Sequence, residues 1–150
     1  MTTPGVLQLR VVVEAEDFDA AVAFYRDAIG LPEQAAFEGE GDARVVIFEA
    51  GRATLELANP AQVAMIDGIE VGRPVSPKVR LAFEVVDGQG ATARAVEAGA
   101  TLVASPTETP WRSLNARLEA PGGLQLTLFQ ELEPLDDRAG RDGFGTTGER

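Results

Sequence analysis

Apolar and polar residues alternate along residues 7–14, which predicts a valine-rich strand. Asp17 follows as a predicted N-cap of a helix over residues 18–29, and Gly30 ends that helix. The predicted helix has one apolar face, built at three- and four-residue spacing from Phe18, Val22, Tyr25 and Ile29. Glycine-containing turns then separate three further strand candidates, at residues 34–37, 44–48 and 52–58.

The same order of elements recurs in the second half of the chain. A strand is predicted over residues 79–86, a helix over residues 91–98, and three strands over residues 101–104, 114–118 and 124–129. Arg10, Glu14 and Asp17 match Arg80, Glu84 and Asp87 at a constant offset of 70 residues. The tetrapeptide at residues 54–57 likewise matches residues 125–128. The pattern predicts two similar modules that complete each other in one α+β domain.

The proline-rich and polar segments between and beyond these elements predict the domain boundaries. Residues 1–6 are an N-terminal extension, and a single domain spans residues 7–131. Within it, module one covers residues 7–59 and module two covers residues 78–131. The connector, residues 60–77, is rich in proline and is the most linker-like internal segment. Residues 132–150 are rich in Gly, Asp, Arg and Thr, which predicts a disordered tail.

Polar side chains share one face of four predicted strands, while Leu, Val and Phe occupy the opposite face. The polar positions are Gln8, Arg10, Glu14, Glu56, Arg80, Glu84 and Thr127. One interpretation is a surface that binds a ligand. The other is a buried network in which the arginines and glutamates neutralise each other. The two interpretations are compatible, and both stay open.

Composition excludes several classes of function. The sequence has no cysteine and no histidine, which removes thiolate chemistry, the commonest metal ligand and the commonest general base. Its net charge of −11 disfavours nucleic acid and anionic lipid as partners. No apolar run approaches the length of a membrane span, so we expect a soluble, cytoplasmic protein.

Two segments resemble the signatures of the vicinal oxygen chelate superfamily, which includes glyoxalase I, extradiol dioxygenases and bleomycin-resistance proteins. The first segment is residues 17–31 and the second is residues 120–128, where Ala120 and Leu124 depart from the family's pattern. The resemblance covers residues 7–131. It implies two tandem βαβββ modules that form a curved mixed sheet around a concave cavity, and it implies a homodimer.

The resemblance also locates the positions that hold a metal ion in the metal-dependent relatives. They fall here on Arg10, Glu56, Arg80 and Thr127, of which Glu56 alone is a suitable ligand. Two guanidiniums would repel a divalent cation, so we expect no metal and no cofactor. A weak hard cation held between Gln8 and Glu56 is the alternative.

Trp111 is the single tryptophan and lies in a predicted loop-to-strand junction. Pro110 fixes the loop, and Arg112 and Asn115 are close in sequence. One interpretation is a stacking wall at the mouth of a cavity, with Arg112 and Asn115 as further ligand contacts. The alternative is an aromatic side chain of the core or of an interface.

Three functions remain open. The first is metal-independent binding of a small organic molecule or natural product, of the drug-sequestering kind that confers antibiotic resistance. The second is an enzyme, a glyoxalase-like lyase, isomerase or dioxygenase with an atypical or absent metal site. In a metal-free version Glu56 would be the catalytic base, and Arg10 or Arg80 would stabilise the anion. The third is a structural or regulatory module with a closed cavity.

Overall fold

The computed structural model describes residues 7–134. The predicted extension at residues 1–6 and most of the predicted tail, residues 135–150, lie outside the described residues. The described chain is an α+β structure with helices α1 (Phe18–Ala23), α2 (Pro60–Glu70) and α3 (Gly88–Glu97). Its strands are β1 (Glu33–Glu38), β2 (Arg44–Phe48), β3 (Leu81–Glu84), β4 (Thr101–Glu108), β5 (Ser113–Glu119) and β6 (Gln125–Glu131). Within residues 7–134, no helix has the length and apolarity needed to cross a bilayer.

The second half forms a four-stranded sheet in the order β3-β6-β5-β4. Strand β3 runs parallel to β6, whereas β5 is antiparallel to both β6 and β4. Helix α3 packs on one face of this sheet through Ala91 and Ala95. The apolar positions of β5 and β6 complete that core with Ala116, Leu118, Leu126 and Leu128. The alternation predicted for β6 is confirmed, because its polar positions face the other way, and β5 alternates in the same manner.

The two predicted helices that follow the module-opening segments are present, with shifted ends. Asp17 caps α1 by accepting a hydrogen bond from the backbone N–H of Ala20 (3.2 Å), and the helix continues as a π-helical turn from Phe24 to Ala28. Phe24 is buried and meets Tyr25 edge to face, with ring centroids 5.1 Å apart. Helix α3 begins at Gly88 rather than at residue 91, because Asp87 caps it through the N–H of Gly90 (3.1 Å).

The first half pairs only β1 with β2, as an antiparallel ribbon. The prediction of strands at residues 7–14 and 52–58 was wrong, since neither segment forms a ladder within the described residues. Leu55 is 74% exposed and Leu57 is 87% exposed, while their repeat counterparts Leu126 and Leu128 are fully buried. Alternation in sequence supplies a strand's two faces, but a strand also needs a neighbouring backbone for its hydrogen bonds.

The predicted connector contains a helix, α2, that the sequence analysis missed. Asn59 caps it, with its side-chain oxygen accepting a hydrogen bond from the N–H of Gln62 (3.0 Å). Pro60 stands at the first helical position, where its missing N–H has no intrahelical partner to lose. Gly72, with φ of +89°, follows the end of the helix. Pro60 is one of the prolines on which the linker prediction rested. In the structure it is the first residue of a helix.

Candidate ligand-binding site

Five polar side chains cover the face of the second-half sheet that points away from α3. They alternate with the core residues of β5 and β6 and define what we call the polar face: Ser113, Asn115, Arg117, Gln125 and Thr127. All five are buried. Because α2 lies over this face, the polar side chains are shielded by the connector.

Arg117 is the centre of the polar face and is fully buried. One terminal nitrogen, Nη1, donates to Asp67 Oδ1 and to Gln125 Oε1, each at 2.9 Å. The other, Nη2, donates to Glu70 Oε1 at 2.8 Å. The two carboxylates come from α2, so two ion pairs join the connector to β5. The Nε of Arg117 is buried without a hydrogen-bond partner among the described residues.

Glu70 is the last residue of α2 and is bound at both carboxylate oxygens. Its second oxygen accepts a hydrogen bond from Asn115 Nδ2 at 2.9 Å. Asn115 in turn accepts one from Ser113 Oγ at 2.6 Å. The Arg117 guanidinium and the Asn115 amide, two positions apart on one strand face, thus bind the single carboxylate of Glu70. A charge-assisted hydrogen bond of this kind binds a carboxylate strongly.

Asp67 organises the loop that follows α2. Its side chain accepts hydrogen bonds from the backbone N–H groups of Val75 and Ser76, both at 2.9 Å, and from Ser76 Oγ at 2.6 Å. Burial disfavours the charged carboxylate, but the hydrogen bonds from Ser76, Val75 and Arg117 outweigh it. The pKa of Asp67 therefore lies well below its usual range.

Arg80 lies beside the polar face, just before β3. It is half-buried, and its Nη1 donates to the hydroxyl of Thr127 on the neighbouring strand. Burial lowers the pKa of Arg80, and the positive charge of Arg117 lowers it further, while Glu70, Glu56 and Asp67 act in the opposite direction. Within the described residues this is the one side-chain hydrogen bond of Arg80.

The structure does not bring the predicted polar positions together as one surface. Arg80, Thr127 and Asn115 do lie on or beside the polar face. Gln8, Arg10, Glu14 and Glu56 are exposed on the two segments that lack strand pairing, and Glu84 is exposed on β3. Arg10 donates to Gln8 at 3.2 Å and not to a residue of the second half. The expectation of one continuous face across four strands needs this correction, because two of the strands are absent.

Trp111 and Arg112 lie in the turn between β4 and β5, where Arg112 has a φ of +61°. Trp111 is half-buried and Arg112 is exposed. In the ladder, Ser113 pairs with Glu131, whereas Arg117 pairs with Thr127. The four steps from Ser113 to Arg117 span about 13 Å at roughly 3.3 Å per residue. The turn is therefore offset along the strands from the Thr127 contact of Arg80, and the stacking wall at Trp111 stays a prediction.

Arg117, Asp67, Glu70 and Gln125 carry the site, yet sequence reasoning did not select them. A signal existed for Arg117, because it shares its strand face with Asn115. A second signal was the three-residue spacing of Asp67 and Glu70, which puts two carboxylates on one helix face. That signal has meaning only if the connector is read as a helix.

The residues present do not fit the metal ion of the metal-dependent relatives. At the corresponding positions, Arg10 is exposed, Arg80 donates to Thr127, and Glu56 is exposed. Among residues 7–134, no group of three Asp, Glu, His or Cys side chains is arranged to hold a metal ion. A lone carboxylate beside a guanidinium is a poor site for a divalent cation.

An open cavity of about 630 Å³ lies in the first half, away from the polar face. Its lining residues are Ala15, Glu16, Asp17, Phe18, Asp19, Asp42 and Arg44. The Arg44 guanidinium stacks over Phe18 at 4.6 Å from the ring centroid and pairs with Asp19 at 2.9 Å. The carboxylates that line this cavity are exposed. The cavity therefore lacks the buried anchoring groups of the polar face.

Comparison with protein families places the chain among the glyoxalase-like proteins. A model of the glyoxalase-like domain family matches residues 10–129. The chain belongs to this family, within the vicinal oxygen chelate superfamily that its two sequence signatures resemble. No curated protein sequence matches the chain significantly.

Solved structures show the same fold at low sequence identity. A glyoxalase family protein from Bacillus cereus is 19% identical, with a TM-score of 0.54 over 89% of this chain and 99% of its own. A glyoxalase-related enzyme from Fulvimarina pelagi is 17% identical, with a TM-score of 0.52 over 84% and 89%. A lactoylglutathione lyase from Agrobacterium tumefaciens is 22% identical, with a TM-score of 0.50 over 85% and 96%. The fold is thus the glyoxalase/bleomycin-resistance/dioxygenase fold.

Proposed function

We propose that this protein binds a small organic molecule or natural product without a metal ion, as in drug sequestration, and that Arg80 is its anchor. The observation that carries the proposal is the half-buried Arg80 guanidinium, which donates a hydrogen bond to Thr127 and has further N–H groups that can donate to a ligand. The resemblance to the superfamily implies that Arg80 occupies a position where metal-dependent relatives have a residue that coordinates the metal ion. A cationic anchor in place of a metal ion keeps the ability to hold an anionic oxygen.

The anchor favours ligands with a carboxylate, enolate or phenolate oxygen. Charge-assisted hydrogen bonds from a guanidinium are about twice as strong as neutral ones and select planar anionic groups. Burial strengthens them, because water competes less for the donors. The Thr127 hydroxyl, already oriented by Arg80, adds a polar contact at the same place.

A second copy of the chain is proposed as a partner, so that the binding groove is shared in a homodimer. The support is the exposure of large apolar side chains on residues 7–14 and 52–58, where Leu7 is 101% exposed and Leu57 is 87% exposed. Exposed apolar surface of this kind is typical of an interface. Each segment carries one arginine and one glutamate, so neither adds net charge to the repulsion between two acidic copies.

The dimer has a direct test in sedimentation. We expect the wild-type chain to sediment as a dimer at micromolar concentration and a Leu55→Asp, Leu57→Asp double variant to sediment as a monomer. The matched control is Val96→Asp on α3, where Val96 is 41% exposed. A monomeric wild type, or a dimer that survives both aspartates, would contradict the proposal.

Calorimetry tests the binding function. The chain is treated with EDTA and titrated with a panel of aromatic and aliphatic carboxylates, phenols and acidic antibiotics. We expect at least one compound to bind the metal-free protein, and Arg80→Gln to weaken it by about tenfold to a hundredfold. Arg94→Gln, an exposed arginine on α3, is the control and should leave the affinity unchanged. Binding that needs an added divalent cation would overturn the proposal.

A structural module with a closed cavity is the second candidate, and the Arg117 network favours it. Asp67 and Glu70 from α2 already accept hydrogen bonds from Arg117 and Asn115 of the polar face. If no compound binds, while Glu70→Gln lowers the stability, this candidate is preferred. The enzymatic alternative gains no support from Glu56, which is exposed on an unpaired segment.

A further inference from the structure

The buried side chains of helix α2 are charged. Asp67 and Glu70 are buried, whereas Val63, Ile66 and Ile69 are half-buried and Met65 is 48% exposed. A surface helix ordinarily buries an apolar stripe and leaves its charges in water. Here the arginine and amide groups of β5 bind the two buried carboxylates.

The contacts of Glu70 are those that a bound carboxylate would make. One oxygen accepts from Arg117 Nη2 at 2.8 Å and the other from Asn115 Nδ2 at 2.9 Å. Removal of Glu70 would leave these two donors buried and unpaired, which is costly unless another anion replaces it. Arg80, within electrostatic range of Glu70, would offer a second cationic contact to the same anion.

The closed arrangement leaves one donor unsatisfied. Arg117 Nε is buried without a hydrogen-bond partner among the described residues. A free carboxylate can engage Nε and a terminal nitrogen of one guanidinium side by side, whereas Glu70 contacts Nη2 alone. A ligand would therefore satisfy a donor that α2 does not reach.

The contacts of α2 limit what has to move for the exchange. Asp67, in the last turn, binds Arg117 and holds the loop at residues 75 and 76. Glu70 is the final residue of the helix, and Gly72 with φ of +89° follows it. The exchange therefore requires only the Glu70 side chain to leave Arg117 and Asn115, while Asp67 keeps its contacts.

We propose that Glu70 is an internal stand-in for a ligand carboxylate, and that a small dicarboxylate displaces it by binding Arg117 and Asn115 with one carboxylate and Arg80 with the other. This inference rests on the proposed binding function and adds its ligand class and its regulation. In the free protein α2 keeps the site closed. The ligand opens it by competition for the same donors.

Because the chain has no cysteine, a single label can follow the last turn of α2. Gly68→Cys places it in the helix, where an added Cβ meets nothing within 4 Å. The label is an environment-sensitive fluorophore, the probe ligand is succinate, and succinamide is its uncharged control. Val96→Cys on α3 carries the same label as a control for effects far from the site. We expect succinate alone to change the Gly68→Cys signal with saturation, and the Val96→Cys signal to stay constant.

Glu70→Gln is the second arm, measured by calorimetry with succinate. An amide competes more weakly for Arg117 than a carboxylate, so we expect this variant to bind succinate at least tenfold more tightly than the wild type. Equal or weaker binding by a folded Glu70→Gln variant overturns the inference, and so does succinate binding that leaves the Gly68→Cys signal unchanged. If Glu70→Gln fails to fold, the fluorescence of the labelled Gly68→Cys protein, which keeps Glu70, decides between the two results.

The outcomes separate this inference from the binding function. Binding of other organic anions at Arg80 without any succinate response keeps the function and overturns the displacement of Glu70. Succinate binding by Glu70→Gln alone overturns the displacement, because Glu70 then keeps the wild-type site closed against the ligand. Absence of succinate binding in both proteins overturns the displacement whatever else binds.

Discussion

The two halves of this chain share a sequence pattern but differ in what surrounds it. In the second half, β6 lies between β3 and β5 and carries Leu126 and Leu128 into a core against α3. In the first half, the matching leucines, Leu55 and Leu57, are exposed on an unpaired segment. An identical alternation is therefore buried only where neighbouring strands and a helix exist to receive it.

The arginines at the repeated position show the same contrast. Arg80 is half-buried and donates to Thr127, whereas Arg10 is exposed and donates to its near neighbour Gln8. Burial changes the chemistry of the group, since it lowers the pKa of Arg80 and strengthens its hydrogen bonds. The repeat supplies the residue, and its surroundings decide whether it can be an anchor.

The largest expected effect separates the matched leucines. Leu128→Ala should lower the free energy of unfolding by about 2–5 kcal/mol, because it opens a cavity in the core. Leu57→Ala should change it by no more than about 0.5 kcal/mol at a concentration where the chain is monomeric. Urea denaturation of both variants measures the difference, and comparable losses would remove the contrast between the halves.

The next effect tests the buried network of the second half. Asp67→Asn should destabilise the chain by about 3 kcal/mol at pH 7, because it leaves Arg117 short of a buried counter-ion. Asp42→Asn, in an exposed loop of the first half, is the control, with an expected change below about 0.5 kcal/mol.

The pH dependence of stability tests the same buried network, through the charge of Asp67. Because the pKa of Asp67 is lowered in the folded state, the unfolded chain takes up the proton first, and the stabilisation is complete only above the ordinary value of about 4. The gap between wild type and Asp67→Asn should be constant from about pH 5 to 7 and shrink as the pH falls below about 4. A gap that widens in acid would show that Asp67 does not gain stability from its charge.

A smaller effect distinguishes the two arginines. In titrations with whichever carboxylate binds the metal-free protein, Arg80→Gln should lower the affinity by about tenfold to a hundredfold. Arg10→Gln should stay within about twofold, since Arg10 lies outside the polar face. Equal losses from both variants would indicate that the two arginines share one site.

The smallest expected effect is on local opening. Backbone N–H groups of residues 7–14 and 52–58 should exchange with deuterium far faster than those of β6, whose hydrogen bonds are paired on both sides. Hydrogen exchange followed by mass spectrometry resolves the segments. Slow exchange at micromolar concentration that becomes fast on dilution would show that a second copy covers them.

Sequence predicted the parts of the fold that depend on local pattern. The cap at Asp17, the helix that follows Asp87 and the alternation along β6 follow from residue chemistry within a few positions. Strands at residues 7–14 and 52–58 were wrongly predicted, because pairing depends on a partner that no local pattern specifies. Helix α2 was missed because Pro60 indicates either a break or a helix start.

The site was predicted less well for the same reason. Arg80 and Thr127 were identified from the repeat and from strand alternation, and Asn115 from its closeness in sequence to Trp111. Arg117, Asp67 and Glu70 were missed, since their roles arise only when α2 lies over β5. A buried ion pair between residues 47 positions apart in sequence is a tertiary fact, and neither residue alone signals it.

The central claim is that the second half binds an organic anion at Arg80 without a metal ion. A nitrogen-15 NMR titration of the EDTA-treated protein, with the carboxylate that binds most tightly in calorimetry, tests it most directly. We predict shifts concentrated at Arg80, Thr127, Asn115 and the last turn of α2. Shifts confined to the cavity around Phe18 and Arg44, or shifts that appear only after a divalent cation is added, would contradict the account.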